Sequence, residues 1–226
     1  AFDDAHAPLR VMASSGGIVD ADAARERPVL TLLSGPAAGV CGATYVAGLA
    51  GDDDLLTMDM GGTSCDVSLV TGGDPDVTTD STVGDYVVGV PSIDIHTVGA
   101  GGGSVAWLDD GGALRVGPES AGADPGPVCY GRGGTDPTVT DAHAVLGRID
   151  PDRFLDAPAP RERVRDSFAD LADALDTDVE GAARGVLRVA NAAIERALRV
   201  VSVERGHDPR RFTLVAFGGA GPLHAP

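Results

Sequence analysis

The sequence predicts an α/β protein, a mixed sheet with packed helices, on three observations. Short apolar runs bounded by glycine, LLTMDM at 55–60, DVSLV from Asp66 and FTLVAF at 212–217, have the length and composition of strands. Before the last of them, Val186, Val189, Ala193, Ala197, Val200 and Val201 recur at helical spacing beside Arg188, Glu195, Arg196 and Arg199, the pattern of a helix with one face on a sheet. A chain of 226 residues with 43% apolar content has enough material for one or two cores.

Taken in order, Val29 to Leu33 predicts a short apolar strand, with a turn at Ser34 and Gly35. A helix follows, with Pro36 in its first turn where a missing N–H does no harm, and Ala37, Ala38, Gly39, Gly42, Ala43 and Ala47 suit close packing on a sheet. The strands at 55–60 and from Asp66 are joined by Gly61, Gly62, Thr63 and Ser64, a hairpin with a glycine-rich tip. Further strands are expected at 85–90, at 92–98, and in VAWLD and ALRV around the turn Asp110, Gly111, Gly112. Gly117 to Asp141 is so rich in Gly and Pro that a long loop is expected, of a length that tends to be functional or disordered. Helices are then expected from an N-cap at Thr140, over 161–175 and over 186–203. The chain closes on a buried strand, 212–217, and a glycine turn, GGAGPLHA, opening a helix. A single fragment over 1–226 with a loop and helical insertion at 117–180 fits this order.

Composition excludes several functions. Every one of the 17 basic residues is Arg, against 34 acidic residues that are mostly Asp, for a formal net charge of −17. Such a surface repels a nucleic-acid backbone. It also repels itself, which is tolerable where molar salt screens charge to within about 3 Å, so the composition points to the cytoplasm of a halophilic microbe. Apolar runs are broken before the roughly 18 residues of a membrane span, so no membrane association is expected. Cys41, Cys65 and Cys129 form neither a CxxC pair nor a cluster, which excludes a disulfide framework, a zinc knuckle and an iron–sulfur site. The start at Ala1, the opening AFDDAHAPLR without a signal-peptide core, and the stop within GPLHAP read as a piece of a longer polypeptide.

Two motifs carry chemistry. In DMGGTSCD, 59–66, glycines at a strand turn let the backbone approach an anion, and Thr63 and Ser64 add hydroxyl donors. Asp59 would repel phosphate unless a cation lay between them, which makes Mg2+ the sensible companion. The alternative is an ordinary hairpin. FGGAGPLHA, 217–225, joins a strand to a helix start and can likewise cradle a nucleotide. Between them, in IDIHTVGAGGGS, Asp94 and His96 lie two apart on an expected strand and face one side. That pair suits a metal, a general base with its orienting partner, a second nucleotide contact, or a hydrogen-bonded pair fixing a strand end. Arg132 suits a clamp on carboxylate or phosphate, or a solvated loop position. The role of Asp141 is open in the same way, and His143 and His224 read as caps or packed imidazoles.

The order of hairpin, helical segment, strand and glycine turn resembles the second half of an actin-like ATPase (ribonuclease H-like) domain, one lobe of a two-lobe fold. That resemblance implies phosphate contacts from Asp59 to Ser64, with Asp59 and Asp66 on the metal, and adenosine contacts from Gly218, Gly219, Ala220 and Gly221. Longer stretches, SGPAAGVCGA, DMGGTSCDVSLV, IDIHTVGAGGGSVAWLDDGGALRVGPESAGADPGPVCYGRGGTDPTVTDAHAVLGRI and RVVSVERGHDPRRFTLVAFGGAGPLHA, resemble the A subunit of the hydantoinase/oxoprolinase family from about Thr31 onward. The family implies an enzyme that uses ATP and Mg2+ to phosphorylate the carbonyl oxygen of a cyclic amide, as in 5-oxoprolinase or N-methylhydantoinase; in such an enzyme Asp94 and His96 are expected to act at the carbonyl or its metal rather than at ATP. It also implies a B-type partner subunit or domain. Ketone carboxylase chemistry and a non-catalytic actin-like ATP-binding module are the alternatives, and the fragment alone is expected to turn over no ATP.

Overall fold

The computed structural model describes residues 8–83, 86–153 and 155–225. In chain order its elements are β1 (Arg10–Met12), β2 (Ile18–Asp20), α1 (Ala21–Glu26), α2 (Ser34–Ala50), β3 (Leu55–Met60), β4 (Cys65–Thr71), β5 (Asp74–Pro75), β6 (Val77–Thr78), β7 (Ser81–Val83), β8 (Tyr86–Val88), β9 (Ser92–Ile93), β10 (Ile95–Val98), β11 (Ser104–Leu108), β12 (Leu114–Ser120), α3 (Val139–Val145), α4 (Arg161–Asp166), α5 (Ala169–Ala174), α6 (Val179–Val201) and β13 (Thr213–Phe217). The main sheet runs β10-β4-β3-β13, with β5 paired to β4, giving the expected α/β architecture. β13, expected to be buried, is exposed at Thr213 and Leu214 and half-buried from Val215 to Phe217. Among the described residues no helix is long and apolar enough to cross a membrane. The chain divides into two compact units, residues 1–57, 66–96 and 200–215 in the first and 58–65, 97–199 and 216–226 in the second.

The core of the first unit forms where α2 turns Ala37, Val40 and Ala47, spaced by three or seven residues, onto Leu55, Val70 and Ile93. The opposite face of α2 leaves Tyr45, Val46 and Leu49 exposed. The strand expected at 29–33 is instead a 3-10 turn over Pro28–Thr31, and Ser34 already begins α2. Pro28 fixes φ at the first position, and Ser14 absorbs the backbone groups that a ladder would need. Its N–H donates to the Leu30 carbonyl at 2.7 Å and its hydroxyl accepts from the Leu33 N–H at 2.9 Å. The strand expected at 92–98 is split at Asp94, because β9 pairs with β6 while β10 joins the main sheet. Of the run expected at 85–90, Tyr86–Val88 is strand and Asp85 lies outside the described residues, as do the first seven residues of the opening segment.

In the second unit β11 and β12 pair antiparallel from Leu108↔Leu114 to Ser104↔Ser120, with a bulge between Ser104 and Ala106. Gly117 to Ser120 is therefore strand, and the loop expected from Gly117 begins only at Ala121. Helix α3 is capped by Thr138 rather than Thr140, because Thr138 and Asp141 form a reciprocal capping box. The helix expected over 161–175 is two, α4 and α5, separated at Ser167 and at Phe168, whose side chain is fully buried. The long helix starts at Val179, seven residues before the expected Val186. Its buried stripe, Ala183, Val186, Leu187, Ala190, Ile194 and Ala197, is rotated from the expected one, leaving Val189 and Ala193 half-buried at its margin. The glycine turn after β13 leads into a 3-10 turn, Gly221–Leu223, where a helix was expected.

Candidate functional site

The second unit contains a cavity of about 400 Å3 with two unlike surfaces. Gly61, Gly62, Gly102, Gly103, Gly122 and Gly219 give one side made of bare backbone, and Pro127, Tyr130, Ile149, Pro222 and Leu223 give an apolar wall, with Thr140 and Ala220 between. The volume lies in the usual range of small-molecule pockets, roughly 300–1,000 Å3. Backbone dipoles facing an apolar wall suit a ligand with an anionic end and a flat apolar end, as a nucleotide has.

Close approach of glycines builds the bare side. The Gly61 N–H closes the hairpin tip on the Ser64 carbonyl at 3.0 Å. The Gly102 and Gly103 N–H groups then donate to the Gly61 and Gly62 carbonyls at 2.9 and 2.6 Å. A Cβ at Gly101 would stand 2.5 Å from Gly62 C and Thr63 N, so no side chain fits there. Thr140 locks the run from the other side, its N–H and hydroxyl both donating to the Gly102 carbonyl at 2.7 and 2.8 Å. The terminal turn is fixed to the end of β3 in the same way. The Ala220 N–H donates to the Met60 carbonyl at 2.9 Å, and Gly218, at φ +84°, lies where a Cβ would strike the Asp59 carboxylate and the Met60 carbonyl.

Asp141 fixes the loop that carries the apolar wall. Its fully buried carboxylate accepts from the N–H groups of Val128 at 3.0 Å, Cys129 at 2.7 Å and Thr138 at 3.0 Å, and from the Thr138 hydroxyl at 2.8 Å. Burial, and then the Asp141 charge, hold the Cys129 thiol well above the usual range, so it stays neutral and inert. Burial likewise raises the Tyr130 phenol, which faces the cavity protonated.

Below the terminal turn, His143 Nε2 and His224 Nε2 are 3.2 Å apart, and His224 Nδ1 is 2.6 Å from Asn191 Oδ1. The consistent tautomers have His143 Nε2–H donating to His224 Nε2, and His224 Nδ1–H donating to Asn191. His143 Nδ1 is then a bare acceptor, buried and without a hydrogen bond among the described residues. A proton on His224 Nε2 would break this chain, and one on His143 Nδ1 would be buried without an acceptor. Burial, with the neighbouring ring and the Arg148 charge, lowers His143 to about 3. Burial and Arg148 lower His224 to about 4.

Of the predicted contacts, Gly61, Gly62, Gly219 and Ala220 line the cavity, while Thr63, Ser64, Gly218 and Gly221 belong to the turns that shape it and do not line it themselves. Asp59 is half-buried at the end of β3, a hard oxygen donor of the kind Mg2+ takes one or two at a time. No group of three His, Cys, Asp or Glu that could hold a metal is assembled among the described residues. Asp66, Asp94 and His96 fall in the first unit, and Asp94 forms an ion pair there with Arg205, not with His96. Sequence reasoning missed Thr140 as a builder of the cavity, and Tyr130 and Ile149 as its wall. The glycine and proline density of the loop was the signal that marked the region.

The hydantoinase/oxoprolinase family model matches residues 2–226. Caprolactamase subunit alpha of Pseudomonas jessenii is 44% identical over 223 residues, which cover 97% of this chain and 32% of that protein. 5-Oxoprolinase 1 of Arabidopsis thaliana is 40% identical over 246 residues, covering 99% of this chain and 19% of that protein. Among solved structures, nucleotide-free acetone carboxylase matches with a TM-score of 0.86 at 36% identity, over 96% of this chain and 31% of that one. The ATP-dependent caprolactamase of P. jessenii matches with a TM-score of 0.85 at 42% identity, over 97% of this chain and 32% of that one. The chain thus spans about a fifth to a third of the length of these relatives. On a match over nearly its whole length, the chain belongs to the hydantoinase/oxoprolinase family.

Proposed function

We propose that the protein carrying this chain uses ATP to phosphorylate the carbonyl oxygen of a cyclic amide, of the hydantoin or 5-oxoproline type, and so prepares the ring for opening by water. The observation that carries the reading is the second unit's cavity, with glycine backbone on one side and an apolar wall on the other. Its glycine side suits the phosphates and its wall suits adenosine. Two relatives are named for caprolactam and 5-oxoproline, both lactams, and a solved relative is described as ATP-dependent.

A lactam resists water because its nitrogen donates into the carbonyl. Transfer of the ATP γ-phosphoryl to the carbonyl oxygen, with ADP leaving and the ring N–H proton released, turns the amide into an imidate whose phosphate is a good leaving group once water has added to the carbon. Charge on the moving phosphoryl must be neutralised by backbone N–H donors and a cation. The N–H groups and hydroxyls of the hairpin tip from Gly62 to Ser64 supply the donors in this reading, and Asp59 would hold the Mg2+ that supplies the positive charge. We also place a B-type subunit or domain beside this one, since relatives are named as subunits. A salt-rich cytoplasm is supported by the net charge of −17 and the absence of Lys.

Ketone carboxylation is the second reading, favoured by the TM-score of 0.86 to acetone carboxylase. ATP turnover by the full-length protein, measured alone and with 5-oxoproline, hydantoin, caprolactam, acetone or acetophenone, separates the two. Stimulation by a cyclic amide is the expected result. Stimulation by ketones alone would move the assignment to the carboxylases, and turnover indifferent to every compound would overturn both.

A further inference from the structure

We propose that Arg132 is the cationic clamp for an oxyanion held in the glycine cavity. The inference rests on the nucleotide reading of that cavity and adds the residue that recognises the anionic end of its ligand. No side chain that lines the cavity carries a charge at neutral pH, since Tyr130 is held protonated. An anion taken from water into such a site needs a countercharge.

Arg132 is exposed and does not itself line the cavity, and its guanidinium carbon lies 5.9 Å from the centroid of the Tyr130 ring, which does. It makes no ion pair among the described residues, in a chain with 34 acidic residues to its 17 basic ones. Its hydrogen bond is a long one, from Nη1 to the Ala123 carbonyl at 3.5 Å. Most of its five N–H donors therefore remain for a ligand.

The loop that presents it is firmly built. Asp141 holds Val128 and Cys129 by their N–H groups, and the Ala159 N–H donates to the Cys129 carbonyl at 3.1 Å. Gly131 and Gly134 lie so close to the backbone of Ala157 and Gly126 that neither position admits a Cβ. A guanidinium with spare donors, fixed at its base and close to a ring that lines the cavity, matches the planar oxygen pair of a phosphate or carboxylate. Two sources offer that chemistry, a phosphate of the nucleotide and the carboxylate of a substrate such as 5-oxoproline.

The test uses the full-length protein with R132Q and R132K, titrated with ATP, ADP and adenosine and assayed with 5-oxoproline and caprolactam. If the clamp holds phosphate, R132Q weakens ATP or ADP binding about tenfold or more, leaves adenosine binding unchanged, and R132K recovers part of the loss. If it holds the substrate, KM for 5-oxoproline rises about tenfold while KM for caprolactam, which has no carboxylate, stays constant. R132Q with wild-type affinities and wild-type KM values overturns the clamp and leaves the nucleotide reading standing. A wild-type protein that binds no ATP overturns that reading and the clamp with it.

Discussion

The glycine cavity of the second unit and the Asp94–His96 segment of the first carry opposite kinds of chemistry. The cavity is lined without a charged side chain, and its shape comes from backbone touching backbone at Gly61, Gly62, Gly102 and Gly103. Asp94 and His96 offer a carboxylate and an imidazole two residues apart, yet the Asp94 charge is taken up by Arg205, 111 positions away. Glycines become a site where packing leaves no room for a Cβ, and that demand is visible only against the partner backbone. A charged residue looks functional in sequence and acquires its role from whichever opposite charge the fold delivers.

The sharpest way to break this comparison is to release the cavity wall. Asp141→Ala leaves three buried N–H groups without their acceptor and should cost about 3 kcal/mol or more, with nucleotide affinity falling as the 121–138 loop detaches. Denaturant unfolding and ATP titration of the full-length protein read both effects, and unchanged stability would contradict the hub assigned to Asp141.

His96→Ala should leave ATP affinity at the wild-type value and lower substrate-stimulated turnover about 100-fold, the scale of a lost general acid or base. Loss of ATP binding in this variant would move the segment to the phosphate site. Gly101→Ala should act in the opposite sense. A Cβ there meets the Gly62 and Thr63 backbone, which cannot yield as a flexible side chain would. The hairpin tip should shift, at about 1–3 kcal/mol of stability, with weaker ATP binding. Gly219→Ala, where nothing lies within 4 Å, is the control and should leave stability unchanged.

The smallest effect is acid sensitivity. His143 and His224 are lowered to about 3 and about 4, against an ordinary value near 6.5 when unfolded. Between those values the unfolded chain binds more protons, so their contribution is complete above about pH 6.5 and is lost as pH falls toward 4 and 3. Hydrogen exchange in 139–145 should accelerate from pH 7 to pH 5, after correction for intrinsic rates, more in the wild type than in His143→Gln. An equal response in the two would show that the pair does not titrate with unfolding.

The long apolar elements were legible in the sequence because burial imposes their period. Strands 55–60 and 65–71, helix α2 and the core of α6 all appear where the pattern puts them. The failures were local competitions. Ser14 captures the backbone of the 29–33 run, and Thr138, two residues upstream of the expected cap, wins α3 through its box with Asp141. The hairpin and the terminal glycine turn of the candidate site were legible as motifs. The wall of the cavity was not, since Tyr130, Ile149 and Leu223 lie far apart in the chain and no spacing rule joins them. The His143–His224 pair was hidden for the same reason, its members standing 81 positions apart in the chain.

Hydrogen exchange of the full-length protein, with and without ATP, tests the central claim most directly, because it reads backbone N–H groups and the site is made of backbone. Slowed exchange confined to the 61–64 tip, the 101–103 run, the 121–131 loop and the 218–223 turn is the predicted result. Protection absent from these segments, or centred on 92–96 instead, would contradict the assignment of the glycine cavity as the nucleotide site.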